Sequence, residues 1–117
     1  MASASTTIIL TVMSTRASLR FIDEYANVVY VYRGHDGFPE IVEPDIDRVL
    51  SIAQGRWSCS EVSLLVTLFF AVTYSDWQKQ RLPDYELTTS IHGDEEYFYT
   101  VRWDTAKQAW VREEARN

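Results

Sequence analysis

Cysteine is nearly absent from this chain. Cys59 stands alone, so no internal disulfide can form and the fold must rest on its core, a usage that fits a reducing cytosol. Histidine is almost as scarce. His35 and His92 are the only two, which narrows acid–base chemistry and leaves no pair at metal-ligand spacing, so no metal or cofactor is expected. Long hydrophobic runs are missing too. The run from Val62 to Tyr74 spans 13 residues broken by Ser63, Thr67 and Thr73, against the ~20 that a bilayer requires. Ile8-Ile9-Leu10-Thr11-Val12 is short, with no basic residue before it, and makes a poor export signal. No contact with a membrane is expected. Basic residues are outnumbered 17 to 11, giving a net charge of −6 and a pI near 4.8, which argues against a nucleic-acid polymer as partner. There is also no glycine-rich phosphate loop and no paired catalytic signature, so catalysis is not the first expectation.

What is present describes one ordered domain. The 117 residues are 46% apolar and include seven Tyr, five Phe and four Trp, enough for a single core. Residues 1–12 read as an N-terminal extension, flexible or adding an edge strand, and Met13 reads as a natural start of the domain at 13–117. Ala17, Leu19 and Phe21 alternate with Arg16, Ser18 and Arg20, as in a half-buried strand. A turn at Asp23–Asn27 and a β-branched, aromatic run at Val28–Arg33 complete a hairpin. Ile46, Val49, Leu50 and Ala53 then sit at helical spacing, and Pro44 suits a first turn, so a helix is expected over Pro44–Gln54 with Gly55 as its stop. Ser58 and Glu61 form a capping box for a second helix over Cys59–Gln78, apolar nearly all round and so expected to be buried on most sides. Three alternating segments beginning at Tyr85, Tyr97 and Ala109 read as a meander. The order ββααβββ gives an α+β fold: a two-layer sandwich with an antiparallel sheet of about five strands and two helices on one face.

Four places could carry function. The loop after the second strand holds Arg33, His35, Asp36 and Glu40 between Gly34 and Gly37; it is either a polar site or a joint in which Arg33 pairs with Asp36 or Glu40. Cys59 at a helix start is a candidate thiolate or simply a small packed residue. Asp36, Glu40, Glu43, Asp45 and Asp47 put five acids in twelve residues, either a solvated helix face or a surface that imitates phosphates. If Leu19, Leu87, Ile91, Tyr99 and Val101 face the helices, the opposite sheet face shows Arg16, Arg20, Tyr30, Tyr32, Ser90, His92, Phe98, Thr100 and Arg102. Aromatic and arginine side chains on an open sheet suit base stacking with phosphate contacts, or a protein hot spot.

Several short runs carry a resemblance. Met13-Ser14-Thr15-Arg16-Ala17, Tyr32-Arg33 with Asp36-Gly37-Phe38-Pro39-Glu40, Gly55-Arg56-Trp57-Ser58, Pro83-Asp84-Tyr85-Glu86-Leu87 and His92-Gly93-Asp94-Glu95 with Tyr97 and Tyr99 resemble a group of small bacteriophage and prophage proteins without an assigned activity. The resemblance extends from Met13 to Trp110 and implies a phage setting in the host cytoplasm. The group more often has His directly after the Arg. Here Gly34 stands in that place and His35 follows, which weighs against a catalytic His35. The expectation is a non-enzymatic accessory protein that binds a host protein or complex, as a counter-defence inhibitor would, through the acidic surface or the aromatic sheet face. The alternatives are a binder of a small nucleotide signal, or a small phosphodiester or nucleotide hydrolase built on Arg33, His35 and Asp36. The candidate contact residues are Arg20, Tyr30, Tyr32, Arg33, His35, Asp36, Glu40, Asp45, Asp47, His92 and Arg102, and unpaired edges leave room for a homodimer.

Overall fold

The computed structural model describes residues 15–56, 60–74 and 82–117. The extension at 1–12, the start at Met13, the candidate Cys59 and the cap Ser58 lie outside the described residues. Five strands and two helices follow in the order β1 (Ala17–Ile22), β2 (Val28–Arg33), α1 (Pro39–Arg56), α2 (Val62–Thr73), β3 (Tyr85–Thr88), β4 (Tyr97–Asp104) and β5 (Ala109–Arg112). The α+β class and the ββααβββ order are as expected.

The arrangement of the last three strands is not. The sheet order is β3-β2-β1-β4-β5, so β3 and β4 lie on opposite sides of the first hairpin and no meander forms. β4 pairs with β1 in parallel, and the other three pairings are antiparallel, which makes the sheet mixed. Alternation fixes which residues share a face, but it does not fix which strand is the neighbour.

Register sorts the two faces. Leu19 lies opposite both Val31 and Tyr99, and Phe21 opposite Val29 and Val101, so these side chains turn the same way. The helices cover that face: Phe21 meets Phe69 of α2 edge-on at 5.4 Å, and Tyr85 meets the same ring at 4.8 Å. Ala17, Leu19, Phe21, Val31, Val42, Ile46, Val49, Phe69 and Val101 are fully buried between the layers. Leu87 belongs to this face by register but sits on the edge strand beyond helix cover and stays 65% exposed.

Both helices depart from expectation at their ends. α1 begins at Pro39, with the Phe38 carbonyl accepting from the amides of Ile41 and Val42, so Pro39 occupies the first helical position, where proline is favoured. Pro44 falls inside the helix. Pro44 and Glu40 are both exposed, so the bond that Pro44 cannot donate is missing from the solvated side. The helix runs on through Gly55 to Arg56. α2 starts three residues later than expected, with Glu61 itself in the cap position and making no side-chain cap bond. Asp23 of the β1–β2 turn supplies an acceptor instead, taking the amide of Val62 as well as those of Tyr25 and Asn27. Burial alone would raise the pKa of Asp23; the Asn27 side chain and these amides outweigh it and hold the carboxyl below its usual value. α2 is buried only along Val62, Leu65, Val66 and Phe69, a single stripe, and Leu64 remains 41% exposed.

The loop between β2 and α1 is a joint. The Gly37 amide donates to the Thr15 carbonyl at 2.9 Å, and the Gly37 carbonyl accepts from the Tyr99 hydroxyl at 2.6 Å. A Cβ at Gly37 would lie 2.7 Å from the Ala17 Cβ and 3.1 Å from the Ala17 nitrogen, so the loop packs directly on β1. Asp36 turns the chain with a φ of 53°, a left-handed conformation that aspartate tolerates. Gly37→Ala is expected to cost about 1–3 kcal/mol through overpacking, whereas Asp36→Gly should change stability by less than about 1 kcal/mol; urea unfolding of the two variants checks both.

Candidate binding cleft on the open sheet face

The strand order creates the site. Between Thr88 and Tyr97 the chain must pass from one edge, over β2 and β1, to the far side of β1. That is three strand spacings, about 14 Å. It makes the passage across the face opposite the helices, and each contact along the way is specific. His92 stacks on Tyr32 with ring centroids 3.6 Å apart. The Tyr32 hydroxyl donates to Asp94 at 3.1 Å, and Asp94 also meets the guanidinium of Arg16 at 3.2 Å. Burial, reinforced by the Asp94 carboxylate, pushes the Tyr32 phenol up to about 12. Glu95 accepts from the Ser18 hydroxyl and from the amides of His92 and Gly93. Burial opposes ionisation of Glu95, but the Ser18 hydroxyl and these amides prevail and hold its carboxyl below the ordinary value. Tyr32 and Ser18 are consequently buried on a face that is otherwise open.

Beside this crossing lies a cleft of about 290 Å³ lined by Ser18, Arg20, Tyr30, Ile91, Phe98, Tyr99, Thr100 and Arg116. Register explains its floor: Arg20 lies opposite Tyr30 on one side and Thr100 on the other, and Ser18 lies opposite Phe98. Ile91 belongs to the crossing, not to the helix-facing set expected for it. β3 ends at Thr88, so Ile91 has left the alternation that would have turned it inward. The tail beyond β5 returns to β4, where the backbones of Arg116 and Phe98 exchange hydrogen bonds of 2.8 and 2.9 Å, and this sets Arg116 at the cleft.

The other candidate residues separate. Arg33 pairs with neither Asp36 nor Glu40. It is buried on the helix side with its guanidinium carbon 4.8 Å from the centre of the Tyr85 ring, and its Nε donates to the His35 carbonyl at 2.7 Å. The reason is register: Arg33 lies opposite Tyr85, so both point to the helices. His35 is exposed and its Nε2 meets Asp84, not Asp36, at 3.3 Å. Arg33, His35 and Asp36 therefore do not converge as a hydrolase would need. Asp45 accepts from the Tyr85 hydroxyl at 2.7 Å. Asp47 takes both Nε and a terminal nitrogen of Arg112, and Glu43 takes the other terminal nitrogen. Three of the five acids thus hold α1 to β3 and β5; Asp47 stays exposed despite its bonds to Arg112, as do Asp36 and Glu40. Arg102 pairs with Glu113 and lies away from the cleft lining. His92 is 3.8 Å from Glu86 and serves the crossing. Among the described residues no group of three His, Cys, Asp or Glu side chains could hold a metal ion, and no helix is long and apolar enough to cross a membrane.

Sequence reasoning placed Arg20, Tyr30, Phe98 and Thr100 on the open face but missed Arg116, Ile91 and Glu95 as parts of a site. Arg116 had no local signal, since it follows the last strand in a polar tail. No protein-family model, no curated protein and no solved structure matches the chain.

The crossing should be sensitive to acid. A carboxyl held low in the folded state stabilises the fold above its ordinary value, 4.5 for Glu95, and that contribution is lost as pH falls through the lower folded-state value. Glu95→Gln is expected to cost about 1–2 kcal/mol near neutral pH. Its difference from wild type should close as pH drops below 4.5, measured by denaturant titration across the range.

Proposed function

We propose that this chain is a non-enzymatic accessory protein, in a phage setting and the host cytoplasm, that acts by binding a host factor through the open face of its sheet. A single observation carries the reading. Of the arginines whose side chains are described, Arg16, Arg48, Arg102 and Arg112 meet carboxylates, and Arg33 is occupied by a ring and a carbonyl. Arg20 donates to the Thr100 hydroxyl at 3.2 Å, and among the described residues neither Arg20 nor Arg116 meets a carboxylate. Both line the same cleft, beside Tyr30 and Phe98, on a chain of net charge −6. Both are exposed, so water solvates them at little cost, and they stay available to an anionic group that reaches the cleft.

The acidic segment is the weaker surface for this role, because Glu43, Asp45 and Asp47 already have partners within the fold. The hydrolase alternative has the least support, with His35 facing Asp84 and Arg33 turned inward onto Tyr85. Immobilised protein should capture one factor from host lysate. Arg20→Glu combined with Arg116→Glu should lose that factor at least tenfold, while Asp36→Asn combined with Glu40→Gln should retain it. Capture that is indifferent to the arginine reversals, or lost with the exposed acids, would move the site off the open face.

A further inference from the structure

We infer that the group received by the open-face cleft is a nucleoside phosphate of mononucleotide size; this rests on the reading that the open face is the binding face. The cleft combines the three elements that such a ligand needs. The first is charge: Arg20 from the centre of the sheet and Arg116 from the tail both line the cleft, and guanidinium binds phosphate in a planar, two-pronged fashion. The second is ring surface. Tyr30 on β2 and Phe98 on β4 flank β1 from either side, two strand spacings apart across the sheet and two residues apart along it, about 12 Å in all, so a planar base can lie against either ring. The third is hydroxyl chemistry, from Thr100 in the floor next to Arg20. Ser18 is already donating to Glu95, so its oxygen remains as an acceptor for a sugar hydroxyl or a base amine.

Size and charge narrow the ligand further. At about 290 Å³ the cleft sits at the low end of small-molecule sites, so one nucleotide fits where an extended strand would not. The net charge of −6 repels a polyanion over its length. A small anion in the cleft meets the two arginines together with Glu95, whose carboxylate is held by Ser18 in the wall and by two backbone amides, while salt screens acids beyond about 8 Å. The walls are held before any ligand arrives. Glu95 and Asp94 pin the crossing that carries Ile91, and the Arg116–Phe98 backbone bridge pins the tail. Little ordering is then left to the binding step.

Isothermal titration of the full chain with 5′-AMP, 5′-GMP, adenosine and inorganic phosphate tests the assignment. At least one mononucleotide should bind, roughly tenfold or more tighter than either adenosine or phosphate alone. Arg20→Ala and Arg116→Ala should each weaken it about tenfold. Phe98→Leu, which keeps apolar bulk and removes the ring, should weaken the mononucleotide while leaving phosphate unchanged. Absence of mononucleotide binding overturns the inference, as does binding indifferent to both arginines. A single-stranded pentanucleotide that binds more tightly than the mononucleotide would also overturn it. If no nucleotide binds while capture of a host factor still requires Arg20 and Arg116, the ligand class is wrong and the open-face reading stands. If the arginine variants change neither measurement, both fail together.

Discussion

The parallel pairing of β1 with β4 is the constraint from which the rest of this molecule follows. It places β1 in the middle of the sheet, flanked on both sides, which is why Ala17, Leu19 and Phe21 have no exposure at all. It also separates β4 from β3, its neighbour in sequence, by two intervening strands. β3 and β4 run in the same direction on opposite sides of the β1–β2 pair, so no tight turn can join them and the chain between Thr88 and Tyr97 has to cross the sheet. The helices already fill one face, and the crossing takes the other. Once there, it buries Tyr32 and Ser18 and brings in Ile91 as the wall of the cleft. Closure of the sheet and construction of the cleft are one event.

The charges follow from the same packing. α1 lies over β5 and α2 over β1 and β2, and the side of α1 that meets the sheet carries acids as well as aliphatics. Glu43 and Asp47 grip Arg112, whose guanidinium is raised above its usual value chiefly by the Asp47 hydrogen bonds. Asp45 meets the Tyr85 hydroxyl, whose pKa is raised by burial and then by that carboxylate. The acidic run is therefore a set of tethers between layers as much as a surface. Inward use of acids and arginines on the helix side leaves the opposite face with a positive remainder at Arg20 and Arg116. Net charge describes the molecule from far away. Close to the cleft the two arginines stand with Glu95, whose charge is taken up by Ser18 and two backbone amides.

The stretch from Tyr30 to Glu40, the end of β2 and the loop into α1, has a structural explanation for most of its residues. Gly37 is the point where α1 leaves the sheet, held by Thr15 and Tyr99 so closely that a methyl group does not fit. Asp36 makes the left-handed turn before it, and Arg33 turns inward onto Tyr85. Only its first residues reach the open face: Tyr30 as cleft wall and Tyr32 as the seat of His92.

Strand positions, strand faces and the α+β class were legible in the sequence, because alternation with a period of two is a local property and the β-branched and aromatic residues of β1, β2 and β4 express it plainly. The open face was legible for the same reason, down to Arg20, Tyr30, Phe98 and Thr100. Helix ends were less so. Pro44 resembled a start, yet Phe38 and Pro39 had already made one, and α2 found its capping acceptor in Asp23, more than thirty residues away. Tertiary structure alone decided that β3 and β4 part company, that Ile91 lines a cleft, that Asp45 and Asp47 bind Tyr85 and Arg112, and that Arg116 joins Arg20 in lining that cleft. Each of these depends on which strand lies beside which. That choice is made by backbone hydrogen bonds and burial summed over the whole chain, and no short stretch of residues encodes it.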